Sequence, residues 1–235
     1  MAIAALAVML AGCIPESASV EGGGIASLYA GFMAAAILVG VVVYGLATWT
    51  IIRYRARPGD ELPVQTHGSL RLEAVWTAVP ILIVLGLFAA TLVVLTRVEA
   101  LTATPRTEVR VEGFRWGWAA TYPLTGVTVS GLREPGPEIV LPVGEPVRIT
   151  LAAADVVHAF YVPVFLFKRD AIPGRESVFE ITIDEAGSYG GQCAEFCGTF
   201  HARMPFTIRA VPRATFESWL VEQQSLAPPS PEPSA

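Results

Sequence analysis

Gly190-Gly-Gln-Cys193-Ala-Glu195-Phe-Cys197-Gly-Thr-Phe-His201-Ala-Arg-Met204-Pro205 sets two cysteines, a histidine and a methionine within twelve residues. The whole chain of 235 residues has only three cysteines and three histidines. A second histidine, His158, lies thirty-five residues before Cys193 at the end of another strand-like run. Two thiolates, two imidazoles and one thioether make a soft donor set. Zinc seldom takes methionine, whereas copper accepts thiolate, imidazole and a weak thioether together. Two other readings remain. Cys193 and Cys197 can pair as a disulfide in an exported chain, which leaves His158, His201 and Met204 without a task. A zinc site of two Cys and two His gives Met204 none.

A mononuclear blue-copper site uses an upstream His, then Cys, His and Met on one loop between strands of a β-sandwich. This chain keeps that order and adds a second Cys. Two thiolates four residues apart can bridge two ions, each with one imidazole. Met204 is then the weak ligand of one ion and the Glu195 carbonyl that of the other. Sharing one electron over two ions keeps the geometry nearly constant, which suits electron transfer rather than bond-making.

Outward from the loop, short β-like runs broken by Gly and Pro extend from Thr107. They include 108–112, 138–141, 146–151, 177–183 and 205–210. Val147-Arg-Ile-Thr-Leu and Phe179-Glu-Ile-Thr-Ile alternate apolar and polar residues, the period of a half-buried strand. The reading is an all-β sandwich or barrel. Apolar residues at helical spacing in 214–224 predict a closing helix. The Pro/Ser-rich end, 225–235, has nothing with which to build a core.

Farther out, the first hundred residues are apolar. Thirty-one uncharged residues separate Glu21 from Arg53, and twenty-three separate Glu73 from Arg97. About 20 apolar residues cross a bilayer core as a helix, so two spans are predicted at about 28–52 and 74–96. Trp49, Tyr44 and Trp76 suit the interfacial belts, and Arg53, Arg55, Arg57 and Arg71 place the loop 53–73 on the cytoplasmic side. Both termini and everything beyond residue 98 are then outside. Residues 1–12 are signal-like, and Leu10-Ala11-Gly12-Cys13 is similar to a bacterial lipobox, so Cys13 is a candidate for acylation and anchoring in membrane lipid. A lone Cys in an apolar segment is otherwise a small buried hydrophobe.

Composition excludes other classes. With 16% charged residues, a net charge of −5 and one lysine, Lys168, no basic stripe exists for nucleic acid. No Cys-x-x-Cys-His is present for attached haem.

At the copper loop the chain closely resembles subunit II of cytochrome c oxidase. Further likeness runs through Gln65-Thr-His67-Gly68, Leu72-Glu73-Ala-Val-Trp76-Thr-Ala-Val-Pro80, Asp155-Val-Val-His158-Ala-Phe-Tyr-Val-Pro163 and Phe167-Lys168-Arg-Asp170-Ala-Ile-Pro173-Gly174-Arg175. The likeness covers about residues 25–224. It implies a two-helix transmembrane hairpin (13–98) plus an all-β cupredoxin-like Greek-key barrel (99–212), followed by a helix (213–224).

The resemblance also implies roles. His158, Cys193, Glu195, Cys197, His201 and Met204 would hold a dinuclear copper centre, CuA, with Glu195 acting there through its carbonyl. The Glu195 side chain would reach a magnesium ion shared with subunit I. Trp116, in Gly113-Phe-Arg-Trp116-Gly-Trp118, would be where electrons enter from cytochrome c, although Arg115 replaces the usual Gln and Gly117 a frequent aromatic. Trp116 as a plain core aromatic is the alternative. Glu73 would stand near the mouth of a proton channel, or merely snorkel at the interface. His67 carries no role.

The implied activity is that of an aa3-type oxidase in a bacterial membrane. CuA would take electrons from cytochrome c, whether soluble, membrane-bound or fused to another complex. It would pass them to haem in subunit I, where oxygen becomes water and protons are pumped; subunit III completes the assembly. Docking a positively charged cytochrome c would use acids such as Glu134, Glu138, Asp155, Glu176 and Asp184. Three competitors are weaker. A quinol oxidase subunit lacks the copper ligands, a copper-delivery protein needs exposed ones, and the CuA domain of nitrous oxide reductase lacks the helix hairpin.

Overall fold

The computed structural model describes residues 16–59, 65 and 68–226. The signal-like segment with Cys13, His67, and the tail beyond Leu226 lie outside the described residues. The chain divides into two compact units, Ser27–Thr96 and a unit that joins residues 16–26 to the chain from Arg97 onward.

The first unit is helical. Helix α1 spans Val20–Arg53 and α2 spans Leu70–Val98, both long and apolar enough to cross a membrane. Their apolar side chains are exposed on all faces: Val41, Tyr44, Ile52, Leu82, Val84 and Phe88 are each more than half exposed. A soluble bundle would bury such residues, so this surface is made for lipid. Both helices outrun the apolar segments that predict them, because hydrogen bonding continues past the first charged residue. Glu73 therefore lies in the first turn of α2, not in the preceding loop, with its N–H donating to Ser69 O at 2.9 Å.

The start of α1 belongs to the second unit and is tied to it. Ser19 caps the helix, its Oγ accepting from Gly22 N–H at 3.1 Å and donating to Phe165 O at 3.3 Å. The Glu21 carboxylate accepts the Thr182 N–H at 2.9 Å.

The second unit is a sandwich of two five-stranded sheets. The first contains β1 (Thr107–Phe114), β2 (Gly117–Tyr122), β3 (Val127–Leu132), β5 (Pro146–Ala153) and β8 (Ser177–Thr182), in the order β3-β2-β1-β5-β8. The second contains β4 (Glu138–Pro142), β6 (His158–Val162), β7 (Phe167–Ala171), β9 (Gly187–Cys193) and β10 (Pro205–Val211), in the order β4-β10-β9-β6-β7. Pairs β1–β5 and β10–β4 are parallel and the others antiparallel. The chain passes repeatedly from one sheet to the other, as a Greek-key fold does. Strict alternation puts Val109 and Val111 from β1, Ile149 and Leu151 from β5, and Phe206 and Ile208 from β10 into one core. Tyr122 fastens the sheets together: its hydroxyl donates to Val140 O at 2.8 Å and accepts from Val140 N–H at 2.9 Å.

Helix α3 (Arg213–Leu226) closes one end, with Phe216 and Trp219 against Tyr122. It runs two residues beyond the predicted 224, because Ser225 and Leu226 precede the first proline of the tail, Pro228. His158 opens β6 rather than ending a strand. Asp155 turns the chain just before it, its Oδ1 accepting the Val156 N–H at 2.7 Å.

Candidate metal centre

Three strand ends meet at one end of the second sheet, on its central strands. Antiparallel register sets Phe160 of β6 opposite Cys193 of β9, and the Ala194 N–H to Ala159 O bond of 3.1 Å carries the pairing one step farther. On the other side the Cys193 N–H donates to Met204 O at 3.1 Å, continuing the β9–β10 ladder. The start of β6, the end of β9 and the start of β10 therefore deliver His158, Cys193 and Met204 to one place. The loop between β9 and β10 adds Cys197 and His201.

The six predicted ligands come together. Cys193 Sγ lies 3.8 Å from His158 Nδ1 and 3.3 Å from Glu195 O. Cys197 Sγ lies 3.6 Å from His201 Nδ1 and 3.8 Å from Met204 Sδ. The sulfurs are 3.9 Å apart and both thiols are free, whereas a disulfide needs about 2.05 Å. That separation is less than twice a metal–thiolate bond of about 2.3 Å. Both sulfurs can therefore hold an ion on either side of the line between them. His158, Cys193, Cys197 and Met204 are buried, so the soft donors sit away from water.

The charges around the thiols match this use. Burial opposes ionisation of Cys193, but hydrogen bonding to His158 and then to the Glu195 and Ala159 backbone outweighs it and brings the thiol to about 6. Cys197 moves the other way, to about 12, because it is buried and then because it faces the Cys193 thiolate. A thiolate pair without a cation is self-repelling, and a metal ion removes that conflict.

Asp155 plays a part that its sequence position did not announce. Its Oδ1 lies 2.9 Å from His158 Nε2, leaving Nδ1 for the thiolate side. Its Oδ2 accepts the Arg115 N–H at 2.8 Å and Nε at 3.2 Å. Burial would raise this carboxyl, yet the bonds from His158, Val156 and Arg115 hold it well below the usual carboxylate range. A carboxylate behind an imidazole fixes its tautomer and direction. The one signal in the sequence was the carboxylate three residues before His158.

Tight contacts leave room for little else. A Cβ on Gly113 of β1 would stand 3.1 Å from the His158 ring. Trp118 donates its indole N–H to Met204 O at 3.2 Å and meets the His158 ring edge-on at 6.0 Å. Trp116, in the turn between β1 and β2, is half-buried and touches the loop between β9 and β10. A Cβ on Gly198 would lie 3.3 Å from Trp116 Cζ2, and Gly198 has φ +121°, so glycine is required there twice over. Phe200 packs edge-on against Trp116 at 5.0 Å.

The Glu195 side chain turns away from the sulfurs and pairs with Lys168 at 3.2 Å. Of the predicted docking acids, Glu138 pairs with Arg209 at 2.7 Å, Glu176 with Arg110, Asp155 with Arg115, and Glu134 lies 4.0 Å from Arg203.

Comparison with known proteins follows the same lines. The family model for the cytochrome c oxidase subunit II transmembrane domain matches residues 7–94, and that for the periplasmic domain matches 123–211. A probable cytochrome c oxidase subunit 2 from Streptomyces avermitilis is 34% identical, over 88% of this chain and 77% of that protein. This chain belongs to the cytochrome c oxidase subunit II family. The cytochrome c oxidase subunit 2 of Mycobacterium tuberculosis is 29% identical over 94% of this chain and 80% of its own. The crystal structure of the periplasmic domain of subunit II from Bradyrhizobium japonicum covers 54% of this chain and 99% of that one, with 33% identity and a TM-score of 0.50. In subunit II terms, the sandwich is the periplasmic domain, and α1 and all but the last turn of α2 lie within the transmembrane match.

Proposed function

We propose that this chain is the electron-input subunit of an aa3-type cytochrome c oxidase, holding a dinuclear copper centre on His158, Cys193, Cys197, His201, Met204 and the Glu195 carbonyl. When bound, the copper pair supplies one-electron chemistry, so that electrons from cytochrome c reach haem in subunit I, where oxygen reduction drives proton pumping. The observation that carries the reading is the two sulfurs 3.9 Å apart, each facing one imidazole nitrogen.

The chain's own residues do the rest. Cys193 and Cys197 would hold the copper pair through their sulfurs, and each imidazole would offer its Nδ1. Asp155 holds His158 through Nε2, and Trp118 fixes Met204 by its carbonyl. Burial of the donors keeps water off them, so the surroundings reorganise little when charge changes. Trp116, packed against Gly198, the residue that follows Cys197, offers an aromatic path from the surface.

The Glu195 carboxylate, directed away from the sulfurs, offers hard oxygens to a magnesium ion shared with subunit I; Lys168 gives way to it. Glu73, in the first turn of α2, serves proton uptake from the cytoplasmic side. Both termini lie outside a bacterial cell membrane, and Cys13 is acylated. Subunits I and III bind the helices within the lipid.

The test is Cys197→Ser in the assembled oxidase. It removes one bridging sulfur, so oxidation of reduced cytochrome c should fall at least a hundredfold while the chain still inserts in the membrane. Unchanged turnover in the substituted oxidase would contradict the reading.

A further inference from the structure

The surface around Trp116 is ringed by arginines. Arg115 precedes it in the chain, the Arg133 N–H donates to Trp116 O at 2.8 Å, and the Arg203 N–H donates to Phe200 O at 2.9 Å. The Arg133 guanidinium lies over the Phe200 ring at 4.9 Å, and Phe200 meets Trp116 edge-on. Phe196, 80% exposed beside His201 at 5.8 Å, adds an apolar knob to the same loop.

The acids here do not balance these charges. Asp155 is engaged by His158, Val156 and Arg115. Glu134 stands 4.0 Å from Arg203. Among the described residues Arg133 has no carboxylate partner. Three guanidiniums thus face two carboxylates, although the chain as a whole carries −5. An aromatic centre rimmed by arginine is the composition of a protein-binding surface.

We propose that this face docks an electron-donor protein whose own contact surface is acidic, and not the positively charged cytochrome c expected from sequence. The proposal rests on the electron-input reading above. A lysine-rich donor finds each of these two carboxylates already beside a guanidinium and meets Arg133, which has no carboxylate partner, instead. An acidic donor is drawn in by Arg133 and Arg203 and seats its apolar edge on Phe196.

The experiment uses the assembled oxidase in detergent and two reduced soluble c-type cytochromes, one with an acidic haem-edge surface and one lysine-rich. Oxidation is followed by stopped flow against ionic strength. With the acidic cytochrome, added salt should slow the second-order rate by about tenfold, and Arg133→Glu with Arg203→Glu should slow it as much at low salt. The same substitutions should speed the lysine-rich cytochrome. The salt dependence of the unsubstituted oxidase is a readout that needs no variant. A lysine-rich cytochrome that is faster at low salt and slowed by the substitutions overturns the proposal, as do salt-independent rates with both. Copper signals recorded on the same unsubstituted enzyme separate the two readings. If the paired signal is present, only the docking proposal is at stake; if it is absent, the electron-input reading falls and takes the proposal with it.

Discussion

Asp155 makes three kinds of bond with one carboxylate: to the ring nitrogen of His158, to the backbone of Val156, and to both backbone and side chain of Arg115. It therefore joins the turn carrying Trp116 to His158, a proposed copper ligand. Asp155→Ala should weaken copper binding by about 10- to 100-fold, measured by competition with a chelator, while circular dichroism of the apo-protein stays the same. Undiminished affinity would show that His158 is held by packing against Gly113 and Trp118 alone. This role was hard to read in advance. A carboxylate near a positively charged partner's path and a carboxylate behind a ligand look alike in sequence; only the 2.9 Å contact separates them. The sulfur and nitrogen donors themselves were legible, because residues that scarce gain meaning from spacing.

At the scale of elements, two tethers hold the sandwich. Tyr122 satisfies both the N–H and the C=O of Val140 across the core, and Tyr122→Phe should cost about 1–3 kcal/mol in denaturant unfolding of the periplasmic domain. The segment before β1 is clamped by Glu180, which accepts from the Thr102 N–H at 3.0 Å, from its hydroxyl, and from Arg148 at 2.7 Å. Burial works against this carboxylate, but the Thr102 bonds and then Arg148 lower its pKa below 4.5. A folded-state pKa below the unfolded one means the stabilisation is complete above about 4.5 and is lost as pH falls toward and through the folded value. Glu180→Gln should therefore lower stability at pH 7 and flatten its decline below pH 4.5, as thermal melts across that range can show. An identical acid slope in the variant would contradict the assignment. Strands with clean alternation, such as β5 and β10, were legible from period alone. Strands β2 and β9 were not: Gly117-Trp-Ala-Ala-Thr-Tyr122 and Gly187-Ser-Tyr-Gly-Gly-Gln-Cys193 are poor in β-branched residues and are strands because their neighbours supply the ladder.

Across the whole molecule, apolar surface and polar chemistry are separated along the chain. The helices of Ser27–Thr96 expose aliphatic side chains suited to lipid, while the sandwich buries its own and gathers the soft donors at one end of its second sheet. That division was visible in sequence because runs free of charge are long and unmistakable. The arginine ring around Trp116 was not, because Arg115, Arg133 and Arg203 come from three separate turns. Paramagnetic resonance of the full chain in detergent after copper loading tests the proposed bridging by Cys193 and Cys197 most directly. One electron shared equally by two copper nuclei splits the signal into seven lines, and metal analysis should find two coppers per chain. A four-line spectrum with one copper, from an electron confined to a single ion, would contradict it.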